Sequence, residues 1–223
     1  MKAIRGLRSE SGTSILEMVV VTAILGLVVS VAIGTFVAVQ RNVANEDIRL
    51  ENLDEGRVMM ATLSKSIRTA TILTGGSSPF VTADLNRVKF YANLDTTGAP
   101  NLIEIYIDTT NPTAPVLIEK LTPPDQPITD PPTYNVGPAK VRFVGRYVIN
   151  GPSAPMFAYY DVTGAPVGTP GLPLTDPQKI LVRTVGINLQ VKKATGQAIP
   201  STNIVTRVRL PNVFYNVQSS PTP

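Results

Sequence analysis

Residues 18–40 carry no charged side chain and consist largely of Val, Leu, Ile, Ala and Phe, while charged residues crowd the stretch that follows, 41–57. A run of that length meets the roughly 20 apolar residues that a membrane-crossing helix needs. Further on, Leu53, Gly56, Met60, Leu63, Ile67 and Ala70 recur at spacings of three and four, which places them on one stripe of a helix. Arg49, Glu55, Arg57, Lys65 and Arg68 lie mostly off that stripe. No Pro precedes Pro79, so the pattern predicts one helix with two halves: an apolar one over 13–40 and an amphipathic one over 41–73. Gly75, Gly76, Ser77, Ser78 and Pro79 supply the turn chemistry that ends it. An apolar stripe requires cover, and a downstream sheet is its expected partner.

After residue 79 the period changes to two. Segments 87–91, 103–107, 116–118, 141–144, 156–160, 180–191 and 204–210 are rich in β-branched and aromatic residues, with Gly, Pro, Asn and Asp between them, and read as strands. Pro123, Pro124, Pro127, Pro131, Pro132 and Pro138 mark an irregular segment that no central strand tolerates. It reads as an exposed loop between two parts of the sheet, or as a polyproline segment that docks a partner. The expected fold is α+β: a long N-terminal helix packed on a C-terminal antiparallel β-sheet, with a β-rich domain over 74–218 and a frayed tail over 219–223.

Composition narrows the chemistry. The chain of 223 residues has no Cys, His or Trp. Disulfides, thiol nucleophiles and cysteine metal sites are thereby excluded, and the commonest general base and metal ligand are missing. None of the acidic residues falls in the alternating spacing of a calcium loop. The composition points away from catalysis, and no catalytic residue, metal ligand or cofactor is assigned. Net charge is unevenly spread: residues 41–139 hold eight basic and twelve acidic side chains, and residues 140–209 hold nine basic and two acidic.

One carboxylate interrupts the apolar half. Glu17 stands just inside it, where an ionised group is costly enough to be a functional hypothesis by default. Lys2, Arg5 and Arg8 precede it against the single Glu10, a bias that holds the N-terminus in the cytoplasm and sends the rest of the chain across the membrane. A secretory signal has a shorter apolar core, roughly 7–15 residues, and a small-residue cleavage site after it. A plain signal anchor accounts for the length and the basic flank, but not for Gly12 and Glu17 in that order.

The segment Gly12-Thr13-Ser14-Ile15-Leu16-Glu17, with its basic leader and apolar run, resembles the class III leader of type IV prepilins and type II secretion pseudopilins. That resemblance implies a leader over 1–12, cleavage between Gly12 and Thr13, N-methylation of Thr13 by a prepilin peptidase/methyltransferase, and an assembly role for Glu17. Thr13 stands where the family usually has an aromatic residue. The resemblance further implies a single-pass protein of the cytoplasmic (inner) membrane, with its C-terminal domain exported. An inner-membrane assembly platform would then move it into a hetero-oligomeric filament with other pilins or pseudopilins, at the cell surface or in the periplasm. Exported pilins often close a C-terminal loop with a disulfide, which this chain cannot do. Residues 157–164, Phe-Ala-Tyr-Tyr-Asp-Val-Thr-Gly, are similar to a strand-and-turn segment of W-type minor pilins and J-type pseudopilins. A minor, priming or tip subunit is therefore expected, with a major pilin as the alternative within the family. A membrane-anchored binding domain that never polymerises is the alternative outside it.

Two residue sets carry these expectations further. Thr22, Gly26, Ser30, Gly34 and Ala38 recur every fourth residue and line one helical ridge with small side chains, which lets a neighbouring helix approach closely. A Gly at position 34 could also soften the helix into a bend. In the basic C-terminal half, Lys140, Arg142, Arg146, Arg183, Lys192, Lys193, Arg207 and Arg209 form a candidate set for attracting DNA phosphates. Competence pseudopili serve DNA uptake, although alternating charge along a strand is commonly its solvated face and no nucleic-acid-binding motif is present.

Overall fold

The computed structural model describes residues 14–94, 99–135, 137–169, 171–193 and 200–213, so the leader and the tail lie outside the described residues. The chain divides into two compact units, residues 1–47 and 48–223. Helix α1 (Ile15–Arg68) supplies the described part of the first unit and the opening element of the second. It is the one helix among the described residues that is long and apolar enough to cross a membrane. Every residue from 14 to 44 is exposed, including Ile15, Leu16, Leu27 and Phe36.

In the second unit the helix is covered on one face. Asn52, Gly56, Met59, Met60, Leu63, Ser66 and Ile67 are buried, and Ala70 just beyond the helix is buried as well. The stripe expected from Gly56, Met60, Leu63, Ile67 and Ala70 is therefore the packed one, while Leu53 lies at its margin. Two polar residues, Asn52 and Ser66, share that face.

The cover consists of two antiparallel sheets, making the architecture α+β. The larger is a five-stranded meander of β1 (Phe80–Ala83), β2 (Arg87–Ala92), β3 (Asn101–Asp108), β4 (Val116–Thr122) and β5 (Lys140–Arg146), in that order. Val88, Phe90, Ile103, Ile105 and Leu117 alternate onto its inner face and are fully buried. Each contributes on the order of 1.5–3 kcal/mol by leaving water. The smaller sheet holds β6 (Phe157–Tyr160), β7 (Thr184–Val191) and β8 (Thr202–Arg209). Its inner face presents Phe157, Val185, Ile187, Leu189 and Val191 to the same core.

One strand end joins the sheets. The β4–β5 register slips at Val144, so Phe143 faces Ile118 and Gly145 faces Leu117. Such a bulge bends its strand. Tyr147 then adopts a left-handed conformation, φ 60°, and the chain crosses to the smaller sheet, where Val148 bridges Val191.

One segment differs from its sequence expectation. Residues 180–191 were expected to be one strand, but Ile180 and Leu181 close a short helix, α2 (Asp176–Leu181), and only Thr184–Val191 is β7. The reason is local: Thr175 precedes the helix, Pro177 stands in its first turn, and the Gln178 side chain accepts a hydrogen bond from the Thr175 amide at 2.9 Å. The Pro-rich segment is a loop within the β4–β5 hairpin, built around Asp125. That carboxylate accepts hydrogen bonds from the Thr133 hydroxyl and from the Asn135 and Gly137 amides, at 2.7, 2.8 and 3.1 Å. Tyr134 anchors the loop to the larger sheet by donating to the Pro100 carbonyl at 2.6 Å and packing against the Tyr91 ring.

Candidate assembly site

Ser14 starts α1. Its hydroxyl accepts from the Leu16 amide at 3.3 Å, and its carbonyl accepts from the Glu17 and Met18 amides at 2.9 and 3.2 Å. A side-chain acceptor at this position satisfies one of the amides that the first turn leaves without an intrahelical partner. Glu17 thus lies in the first turn, where a carboxylate gains about 0.3–1 kcal/mol from the helix dipole at an exposed site. Gly12 and Thr13, the expected cleavage and methylation positions, lie outside the described residues.

All five ridge residues, Thr22, Gly26, Ser30, Gly34 and Ala38, are helical and exposed. The Thr22 hydroxyl donates back to the Met18 carbonyl at 2.6 Å, and the Ser30 hydroxyl to the Leu27 carbonyl at 2.8 Å. Hydroxyls satisfied in this way impose no unmet donor on an apolar neighbour. A Cβ added at Gly26 or Gly34 would meet nothing within 4 Å apart from the adjoining backbone of the helix itself. Each Gly costs about 1 kcal/mol against Ala in a helix, and no contact among the described residues requires the missing Cβ.

The eight basic residues are dispersed over several elements. Lys140, Arg142 and Arg146 lie on β5, Arg183 between α2 and β7, Lys192 and Lys193 just past β7, and Arg207 and Arg209 on β8. Several are engaged within the protein. Arg142 pairs with the buried Glu119 carboxylate, and Lys193 reaches Glu51 of α1 at 2.7 Å. The Glu51 carboxylate holds the Lys193 ammonium above its ordinary pKa. Arg183 donates to the Ile180 and Val182 carbonyls at 2.6 and 2.9 Å. Arg207 lies 4.2 Å from the Tyr160 ring centroid. Gly186 makes room for that arrangement, because a side chain there would press on the Tyr160 ring at 2.9 Å.

The 157–164 segment forms β6 and a tight turn. The Asp161 carboxylate accepts from the Thr163 amide and hydroxyl and from the Ala165 amide, which lowers its pKa, the Thr163 hydroxyl being the largest cause. Gly164 takes φ 85°, a conformation open to Gly without steric cost.

Sequence reasoning did not single out the two buried carboxylates of the larger sheet, Glu104 and Glu119. Glu104 pairs with Arg87, and Glu119 accepts from Arg142 and from Ser66 of α1. The alternation of charged and apolar residues on β3 and β4 is compatible with a solvated face, so no local signal marks these as buried. No protein-family model, no curated protein and no solved structure matches the chain.

Proposed function

We propose that the chain is a prepilin-like subunit of a type IV pilus or type II secretion pseudopilus, most like the W-type and J-type minor subunits, that primes or tips the filament. The observation that carries this reading is the position of Glu17: in the first turn of a helix that leaves its apolar residues exposed up to position 44. Such a surface is unfavourable in water and calls for lipid or neighbouring helices. After residue 48 one face of the same helix is buried, although Leu50 and Val58 stay exposed, so the apolar surface that is bare all round belongs to the N-terminal part.

Cleavage after Gly12 gives the mechanism its second charge. A new α-amino group on Thr13 has an ordinary pKa of about 7.7–8.0 and is largely cationic at neutral pH. A carboxylate in apolar surroundings is heavily penalised when alone, and a cationic partner offsets much of that cost. Glu17 of one subunit and the Thr13 amine of an adjacent one form such a pair and set the register of the incoming subunit. The small-residue ridge then permits close approach of the two helices.

The test compares two variants of the full chain in the producing cell. Glu17→Ala is expected to leave the mature N-terminus at Thr13 intact, read by mass spectrometry, while the protein disappears from sheared filaments. Gly12→Glu is expected to retain the uncut precursor in the membrane. Normal incorporation of Glu17→Ala, or a normally shortened Gly12→Glu protein, overturns the proposal. Quantifying the subunit in sheared filaments separates a minor subunit from a major one.

A further inference from the structure

The chain between β5 and β6, residues 147–156, docks on β7 with the help of one side chain. Ile149 and Met156 make ordinary strand bonds: the Ile149 amide donates to the Gln190 carbonyl at 3.0 Å, and the Met156 carbonyl accepts from the Asn188 amide at 2.8 Å. Between them the Asn150 side chain stands in for a peptide group. Its Nδ2 donates to the Asn188 carbonyl and its Oδ1 accepts from the Gln190 amide, both at 2.8 Å. Nδ2 also donates to the Ala154 carbonyl at 3.0 Å. That bond crosses a turn whose ends, Gly151 and Ala154, exchange backbone hydrogen bonds at 3.3 and 3.1 Å. Asn150 is only 9% exposed, so water competes little for these partners.

The sequence at this point is chemically unstable. Asn150 is the only Asn in the chain that precedes a Gly. In an Asn-Gly pair the Gly peptide nitrogen, on losing its proton, attacks the Asn Cγ. The Cγ–Nδ2 bond breaks and ammonia leaves. The resulting succinimide takes up water at either carbonyl and opens to aspartate or isoaspartate. Gly permits the attack because it carries no Cβ. The fold does not otherwise call for this pair. A type I′ turn, the usual reason for Asn-Gly, needs positive φ at both residues, and neither has it. A Cβ at Gly151 would meet nothing within 4 Å.

Each nitrogen that the reaction uses is engaged while the crossover is docked. The Gly151 N–H is bonded to Ala154, Nδ2 donates to two carbonyls, and the bond to Oδ1 fixes the orientation of Cγ. We infer that Asn150 is a deamidation site gated by this segment: it reacts when residues 149–154 leave β7, and its reaction keeps them from returning. The product carboxylate still accepts from the Gln190 amide but brings no proton to the Asn188 and Ala154 carbonyls. Buried acceptors left without a donor are costly. The isoaspartate form also adds one backbone atom ahead of Gly151 and shifts the turn. Because the crossover joins the two sheets, the modification records chains in which that joint has opened. The inference goes beyond the assembly reading and uses neither Glu17 nor cleavage.

The test incubates the full chain at mildly alkaline pH, in detergent and in urea, and follows the mass gain of the peptide that carries Asn150. The reaction should be at least about tenfold slower in detergent, since only the opened fraction reacts. The slowing should match the hydrogen-exchange protection of the Ile149 amide. It should fall short of the protection of the β3 amides, which report opening of the larger sheet. Gly151→Ala, for which the fold has room, should suppress the reaction in urea severalfold. Asn150→Asp, which installs the product, should cut the protection of the Ile149 amide at least about tenfold at neutral pH. The cut should be smaller below about pH 4, where a protonated carboxyl again donates. Equal rates in detergent and urea overturn the inference, as does unchanged protection in Asn150→Asp. Slowing that equals the β3 protection overturns it in favour of global unfolding. Undiminished reaction of Gly151→Ala in urea overturns the succinimide route.

Discussion

Ser66 of α1 donates its hydroxyl to the Glu119 carboxylate of β4, 3.3 and 3.2 Å from the two oxygens, across the contact between helix and larger sheet. Glu119 is buried, whereas its ionic partner Arg142 reaches in from the exposed edge strand with its side chain 58% accessible. The pair is asymmetric in consequence. Removing Arg142 leaves a buried carboxylate with one hydroxyl donor, while neutralising Glu119 leaves a guanidinium that water can reach.

Arg142→Ala should therefore destabilise the fold more than Glu119→Gln does. Breaking a fully buried pair costs about 3–5 kcal/mol. Exposure of Arg142 reduces this, and a loss of roughly 1–2 kcal/mol is expected. Urea unfolding of the two variants, monitored in the sheet, gives the comparison. A larger loss in Glu119→Gln would refute this ordering.

Gly145 of β5 and Met59 make a second contact between α1 and the larger sheet. A Cβ on Gly145 would collide with the Met59 thioether. Gly145→Ala should cost about 1–3 kcal/mol by overpacking. Met59→Ala alone should cost about 2–5 kcal/mol, as a fully buried side chain is lost. In the double variant the two losses should fall short of their sum, because the new methyl enters the space Met59 vacates. Strict additivity in a double-mutant cycle would refute the shared contact.

How far the chain declares this arrangement depends on the kind of signal. The long helix and the buried positions Gly56, Met60, Leu63 and Ile67 are legible because lipid-length apolar runs and helical spacing are local properties. Asn52 and Ser66 are not, since a polar residue on a buried face carries no hydrophobic signal. Helix α2 hides inside the apolar run at Ile180, although Thr175, Pro177 and Gln178 spell out a helix start. Arg142 and Lys193 read as free cations because their partners, Glu119 and Glu51, lie 23 and 142 residues away. Strand pairing likewise follows from tertiary register, so the division into two sheets and the edge position of β5 cannot be read from periodicity. Glu17 is legible for the opposite reason: a lone charge in an apolar run needs no partner to be noticed.

Tyr134 supplies a pH-dependent prediction. Burial, aided by the neighbouring Tyr91, raises its pKa to about 12. The neutral phenol is the form that donates to Pro100, so folding favours the protonated state. Its contribution is complete below the unfolded value of about 10 and is lost as pH rises through about 12. Tyr159, buried and donating to the Asp84 carbonyl, is pushed well above 10 as well, so the comparison must be by difference. Tyr134→Phe should lower stability at neutral pH by about 0.5–1.5 kcal/mol and flatten the alkaline loss. Tyrosinate absorbance should show one late-titrating phenol fewer. An unchanged alkaline profile would mean that Tyr134 does not hold the Pro-rich loop.

The glycines of the apolar half lead to the last prediction. Apart from the adjoining backbone of the helix itself, nothing among the described residues approaches the positions where Gly26 and Gly34 lack a Cβ. If the ridge served only the fold of the single chain, replacing them would have little effect anywhere. Ala at either position should stabilise the isolated helix by about 1 kcal/mol, and Leu by a little less. Neither replacement should shift the urea midpoint of the sheet-bearing unit, whose core lies elsewhere in the chain. A neighbouring helix packed along the ridge would respond differently, because Leu enforces a wider separation while Ala is accommodated. Gly26→Leu and Gly34→Leu should accordingly lower recovery of the subunit in sheared filaments, with membrane levels and mature N-terminus unchanged, and the Ala variants should remain close to wild type. Equal recovery of the Leu and Ala variants would remove the ridge from the assembly surface and leave Glu17 as its only described determinant.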